Sequence, residues 1–179
     1  MILEAFRVGP DSPRNAMKLV QLPDLRVAVG VRPVSWAEYV LFAEEAGKPA
    51  PRRAGARTDP VTGVSTADAL AYARWLHRRE GRPFRLPSLD EMIALVRETD
   101  GQFDLWPCQS RRRHGLESGG GCLTEWLACL SGQVSQGNQL HCIVYPAWLL
   151  KESREIGRGA LADATYPFVT FRVVRDADV

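Results

Sequence analysis

Three stretches of this chain place apolar residues at helical spacing, and each opens on a serine followed three positions later by an acid: Ser35 with Glu38, Ser65 with Asp68, and Ser88 with Glu91. In that arrangement the serine hydroxyl accepts from the amide three residues on, while the acid reaches back to the serine's own amide. Helix-start amides that lack an intrahelical partner are thereby satisfied. The first stretch, SWAEYVLFAEEAG, predicts an amphipathic helix with Trp36, Tyr39, Val40, Ala43 and Ala46 inward and a stop at Gly47. The second, STADALAYARWLHRREG, turns Ala69, Tyr72, Ala73 and Leu76 inward, sets basic residues against the helix dipole in its last turn, and ends at Gly81. The third, SLDEMIALVR, is shorter and buries Met92, Leu95 and Val96.

Strand patterns lie outside this helical middle. LRVAVGV near 25–31 and FVTFRVV near 168–174 are rich in valine and phenylalanine with partial alternation, and their pairing would join the two ends of the chain. LTEWLACL and QLHCIVY predict two more short strands, separated by the polar turn-forming stretch SGQVSQGN. Residues 47–63 and 100–121 fit no element, and long irregular segments in a compact domain are functional or mobile. With no internal repeat, the pattern predicts one α+β domain over residues 1–179.

Composition narrows the classes. A chain of 179 residues, 45% hydrophobic, suffices for one well-buried core. The 23 basic and 21 acidic residues leave a net charge of +2, too small a bias to imply a nucleic-acid partner. No leader pattern opens the chain and no run of about 18 apolar residues occurs, so a cytoplasmic protein without a membrane partner is expected. Lysine stands only at Lys18, Lys48 and Lys151; the preponderance of arginine suits a GC-rich bacterial genome and assigns no chemistry. The four cysteines, Cys108, Cys122, Cys129 and Cys142, form no C-x-x-C pair, which leaves free thiols as the expectation and one disulfide as the alternative.

The order of segments is informative where each alone is not. PVSWAEYVLFAEEAG, DPVTGVSTADALAYARWL, FRLPSLDEMIALVR, GCLTEWL, VSQGNQL and VTFRVVRD together resemble the formylglycine-generating enzyme and sulfatase-modifying-factor family, from about Pro33 to Asp176. The resemblance implies a C-type-lectin-like fold: a small twisted antiparallel sheet flanked by helices, with much irregular chain. It implies structural roles for Glu125 and Trp126, which keep the family's acid-then-tryptophan pair, and for Phe171 and Arg172, which keep its closing Phe-Arg. Arg85-Leu86-Pro87-Ser88 keeps a family turn and cap, whereas Gln136-Gly137-Asn138-Gln139-Leu140 departs heavily from the family's Arg-Gly-Gly-Ser-Trp. Members that oxidise cysteine to formylglycine hold copper(I) between two cysteines five residues apart. Cys142 stands where the first belongs and Ala147 where the second belongs. Copper(I) wants two thiolates in near-linear geometry, so the resemblance implies a scaffold unable to make formylglycine.

The residues themselves leave further chemistry open. As a strand, 139–145 puts Leu140, Cys142 and Val144 on one face, which makes Cys142 a core thiol, a partner for Cys122 across neighbouring strands, or the remnant of the family's metal site. His114, Glu117 and His141 supply three ligand types for iron or zinc, against the plainer reading of His114 as a solvated loop residue beside Arg111, Arg112 and Arg113. That tri-arginine run, with Arg52, Arg53 and Arg57 in the other loop, suits either solvent or an anionic ligand. Glu125 reads as half of a buried ion pair or hydrogen bond. The resulting expectation is a binding or accessory module without cofactor or metal, its partner a protein or a small anionic ligand. The alternatives are a metal-dependent oxidoreductase of oxygenase type and a retroelement-diversified binding protein, although residues 136–166 lack the dense Asn, Ser, Tyr and Asp of the latter.

Overall fold

The computed structural model describes residues 3–7, 16–51, 56–98, 124–135, 138–144, 161, 163–167 and 169–177. The chain opens with strands β1 (Leu3–Arg7) and β2 (Ala16–Leu22), then a 3-10 turn, Pro23–Leu25, then β3 (Val27–Gly30). Helices α1 (Trp36–Glu45) and α2 (Thr66–Glu80) follow, then the short β4 (Phe84–Arg85) and helix α3 (Leu89–Glu98). The second half contributes β5 (Thr124–Ser135), β6 (Asn138–Val144), β7 (Val169–Thr170) and β8 (Val174–Asp176).

The expected pairing of distant segments is present. One antiparallel sheet runs β1-β2-β3-β8-β4, with β8 inserted between β3 and β4: Val29 faces Val174, and Phe84 faces Arg175. Where a single sheet is expected from the family likeness there are two. A second sheet runs β6-β5-β7, and its β5–β7 contact is parallel, Thr124 to Val169 and Glu125 to Thr170. The predicted strand over 168–174 divides between the two sheets, because residues 171–173 leave the ladder to carry the chain from β7 to β8.

Strand alternation sorts the interior. Val20, Leu22, Val27, Val29 and Val174 pack with Met92, Ile93 and Leu95 of α3, while Met17, Leu19, Ala28 and Val173, the alternate positions, pack with α1 and α2. The five-stranded sheet is thus covered on both sides, and all four residues of β3 are buried.

The three serine starts form as predicted. Ser35 and Glu38 make the full reciprocal cap, and Ser65 and Ser88 accept from the amides of Asp68 and Glu91. Glu91 also receives the Ser88 amide at 2.7 Å and Arg85 in two bonds of 2.8 and 2.6 Å. The inner face of α1 differs from the pattern: Phe42 and Glu38 are buried beside Tyr39 and Ala43, whereas Val40 is half-buried and Ala46 exposed. The reason is an aromatic cluster that draws the helix round. Phe42 stands edge-on to Tyr72 at 5.6 Å and Tyr39 edge-on to Phe171 at 6.2 Å, while Tyr72 meets Phe171 at 5.3 Å. In α2 the predicted Ala69, Tyr72, Ala73 and Leu76 are all buried, with Trp75 added, and Gly81 caps the helix at φ 67°. Met92 and Leu95 of α3 are buried as expected; the Val96 side chain lies outside the description.

Among the described residues no helix is long and apolar enough to cross a membrane.

Candidate functional site

Strand β5 carries the features that tie the two sheets together. Trp126 is fully buried; its indole N–H donates to the Val64 carbonyl at 3.0 Å, anchoring β5 to the segment that starts α2, and its ring meets Tyr166 at 6.0 Å. Next to it, the Glu125 carboxylate receives two parallel bonds from Arg172, Nε to Oε2 and Nη2 to Oε1, both 2.7 Å. Arg172 has no exposed surface, and its Nη1 donates to the carbonyls of Gly30 at 3.0 Å and Val31 at 3.1 Å. A fork-on-fork pair is the strongest geometry available to these groups. The two charges therefore neutralise each other, and the guanidinium fastens β5 to the end of β3. Gly30 permits this closeness: a Cβ there would lie 3.3 Å from the carbonyl oxygens of Arg32 and Val173.

The predicted structural residues Glu125, Trp126, Phe171 and Arg172 thus converge at one seam in the core. Sequence reasoning missed the carbonyls of Gly30, Val31 and Val64 that complete it. The signal for the first was present, because a glycine interrupting the valines of a strand marks a close backbone approach. The Arg85–Glu91–Asp176 network was missed as well: Arg85 Nη2 lies 2.6 Å from Glu91 and 2.8 Å from Asp176. Burial alone would raise the Glu91 pKa, but hydrogen bonds from Arg85 and Ser88 prevail and hold it below its ordinary value. Glu38 goes the other way: burial pushes it up, only partly opposed by its bonds from Ser35. Tyr72 is also raised, first by burial and then by the Glu38 charge, and its buried hydroxyl has no partner among the described residues.

Beyond this seam, β5 continues into a hairpin with β6 that is longer than predicted. The polar residues 131–135, expected as turn, extend β5 to Ser135, which pairs with Asn138. The pairing is interrupted twice: Trp126 faces Ile143, Leu130 faces His141 and Val134 faces Gln139, with register shifts between them. Position 142 therefore falls opposite the irregular stretch between Trp126 and Leu130, and bulges of this kind re-aim what a strand carries. The side chains of His141 and Cys142 lie outside the description, and so do residues Cys122, Arg52, Arg53, Arg111, Arg112, Arg113, His114 and Glu117. Arg57 is described and exposed. The copper(I) pair does not fit this chain, because the position five residues after Cys142 is Ala147, which has no donor atom.

This chain belongs to the family described as the sulfatase-modifying factor enzyme 1-like domain, whose model matches residues 15–115. Its fold is the formylglycine-generating-enzyme-like α+β fold. PvdO from Pseudomonas aeruginosa is a structural neighbour, with a TM-score of 0.59 over 98% of this chain and 90% of PvdO at 16% identity. CarF is another, with a TM-score of 0.54 over 98% of this chain and 96% of CarF, also at 16% identity. No curated protein matches the chain.

Proposed function

We propose that this chain is a ligand- or protein-binding accessory module on the formylglycine-generating-enzyme-like scaffold, and that it does not itself make formylglycine. The observation that carries the reading is the Ala147 side chain in the place of the second thiolate. One sulfur cannot offer copper(I) the two-coordinate site it prefers. What remains is a scaffold whose seam at Glu125 and Arg172 is closed by internal pairing and offers no group to a substrate. The candidate binding residues in this reading are those of the sequence, Arg111, Arg112, Arg113, His114, Glu117 and His141, and its partner is a protein or a small anionic ligand.

The test is a competition titration of the intact chain with copper(I) against a chromophoric chelator, paired with an assay for oxidation of a cysteine-containing peptide. No tight stoichiometric site and no aldehyde product are expected. A tight site abolished by Cys142→Ala would overturn the reading.

A further inference from the structure

We propose that the start of α2 binds a small carboxylate, held by the amides of Thr66 and Ala67 and by the Thr66 hydroxyl. The observation is a buried donor with nothing to donate to. Thr66 is the first residue of α2 and has none of its surface exposed, yet its Oγ1 has no hydrogen-bond partner among the described residues. A buried hydroxyl left unpaired loses its hydration without replacement, so native interiors rarely contain one.

Helices α1 and α2 begin on one pattern, Val-Ser-x-Ala-acid, and comparing them isolates what is missing. At α1 every early amide is taken. Trp36 N–H donates to the Asp59 carbonyl and Ala37 N–H to the Arg57 carbonyl, both at 2.9 Å, and Glu38 N–H donates to the Ser35 hydroxyl at 3.3 Å. At α2 the Asp68 amide donates to the Ser65 hydroxyl at 3.1 Å, but the amides of Thr66 and Ala67 have no acceptor among the described residues. Nearby acceptors are already engaged: the Ser65 hydroxyl is bonded to Asp68 Oδ2 at 2.7 Å, and the Val64 carbonyl accepts the Trp126 indole at 3.0 Å.

These donors converge. In a helix each Cα–Cβ bond tilts toward the N-terminus, so Thr66 Oγ1 points back over the end at which the first amides are directed. That end is the positive pole of a 15-residue helix. Asp68 in the first turn does not cancel it, because Lys48 lies 3.0 Å from Asp68 Oδ1. Ala67 is exposed and Thr66 is not, so a ligand enters from the Ala67 side and leaves one oxygen buried. A planar carboxylate meets this donor set: one oxygen takes the Thr66 amide and hydroxyl, the other takes the Ala67 amide, and its negative charge suits the helix pole. A cation would face that same positive pole. A phosphate brings more oxygens than these donors satisfy, and a larger group than a site closed at Thr66 admits.

The site shares no residue with Cys142 or with the candidate binding residues named above, so its failure and the failure of the copper reading are separate results. The test titrates the full, isotope-labelled chain with sodium acetate, against sodium chloride at equal ionic strength, and follows the amide resonances. Those of Thr66 and Ala67 should shift saturably with acetate and not with chloride. Thr66→Val, which keeps the shape and deletes the hydroxyl, should weaken acetate binding at least tenfold, and Thr66→Ser should restore it. Without acetate the denaturation midpoint of Thr66→Val should equal or exceed that of the parent, because an apolar group of the same shape replaces an unpaired buried hydroxyl. Acetate should raise the midpoint of the parent and of Thr66→Ser more than that of Thr66→Val. A lower midpoint for Thr66→Val without acetate would show that the hydroxyl has a partner inside the protein and overturn the proposal. So would acetate shifts that are absent or do not saturate, that chloride reproduces, which would mean an adventitious ion only, or that persist undiminished in Thr66→Val.

Discussion

At the scale of single residues, the pair of Glu125 and Arg172 decides more than any other contact described. Both side chains are removed from water, with 2% and 0% of their surface exposed, so each serves as the other's buried counter-charge. Glu125→Leu should destabilise the protein by about 3–5 kcal/mol, the usual result of stranding a buried charge. Adding Arg172→Met should recover part of that loss, because a well-packed apolar pair often replaces a buried ion pair at little cost. Full recovery is not expected, since the carbonyls of Gly30 and Val31 would then lose their donor. Urea denaturation of the single and double variants measures both quantities, and a cost below about 1 kcal/mol for the single change would show that the pair is not what joins β5 to β3.

At the scale of elements, the helix starts carry opposite responses to pH. Glu91 sits below its ordinary value of 4.5 in the folded protein, so its contribution is complete above that value and disappears as pH falls through the lower, folded one. Glu38 sits above 4.5, so the folded state holds its proton longer and loses stability as pH rises from 4.5 through the raised value. Glu91→Gln should therefore flatten the acid side of a stability–pH curve and Glu38→Gln the side above 4.5; urea midpoints over that range will show it, and identical curves would refute it. These starts were legible because capping is local chemistry: serine, two residues, acid. Strand β4 was not, since two residues carry no periodicity, and neither was the hairpin of β1 and β2, whose alternation is broken by Lys18 and Gln21. The polar end of β5 looked like turn because its pairing with β6 depends on backbone bonds that no side-chain pattern records.

At the scale of the whole molecule, the cluster of Tyr39, Phe42, Tyr72, Trp75 and Phe171 and the indole of Trp126 join helices to both sheets. Trp126→Ala or Phe171→Ala should each cost about 3–5 kcal/mol in a denaturant melt, and a midpoint that barely moves would contradict their burial. The family's structural residues were readable from order and type, and the missing second thiolate from one position, Ala147. Their companions were not, because Gly30, Val31 and Val64 act through carbonyls that every residue has. The insertion of β8 between β3 and β4 has a further consequence for biosynthesis. Arg172 is 142 residues from the Gly30 carbonyl it bonds, and ribosomes add about 5–20 residues per second. A nascent chain therefore waits about 7–30 s with the valine edge of β3 open and the seat of Phe171 empty. For that interval the five-stranded sheet lacks the strand that joins β3 to β4, and it closes only when residues 169–177 have left the exit tunnel.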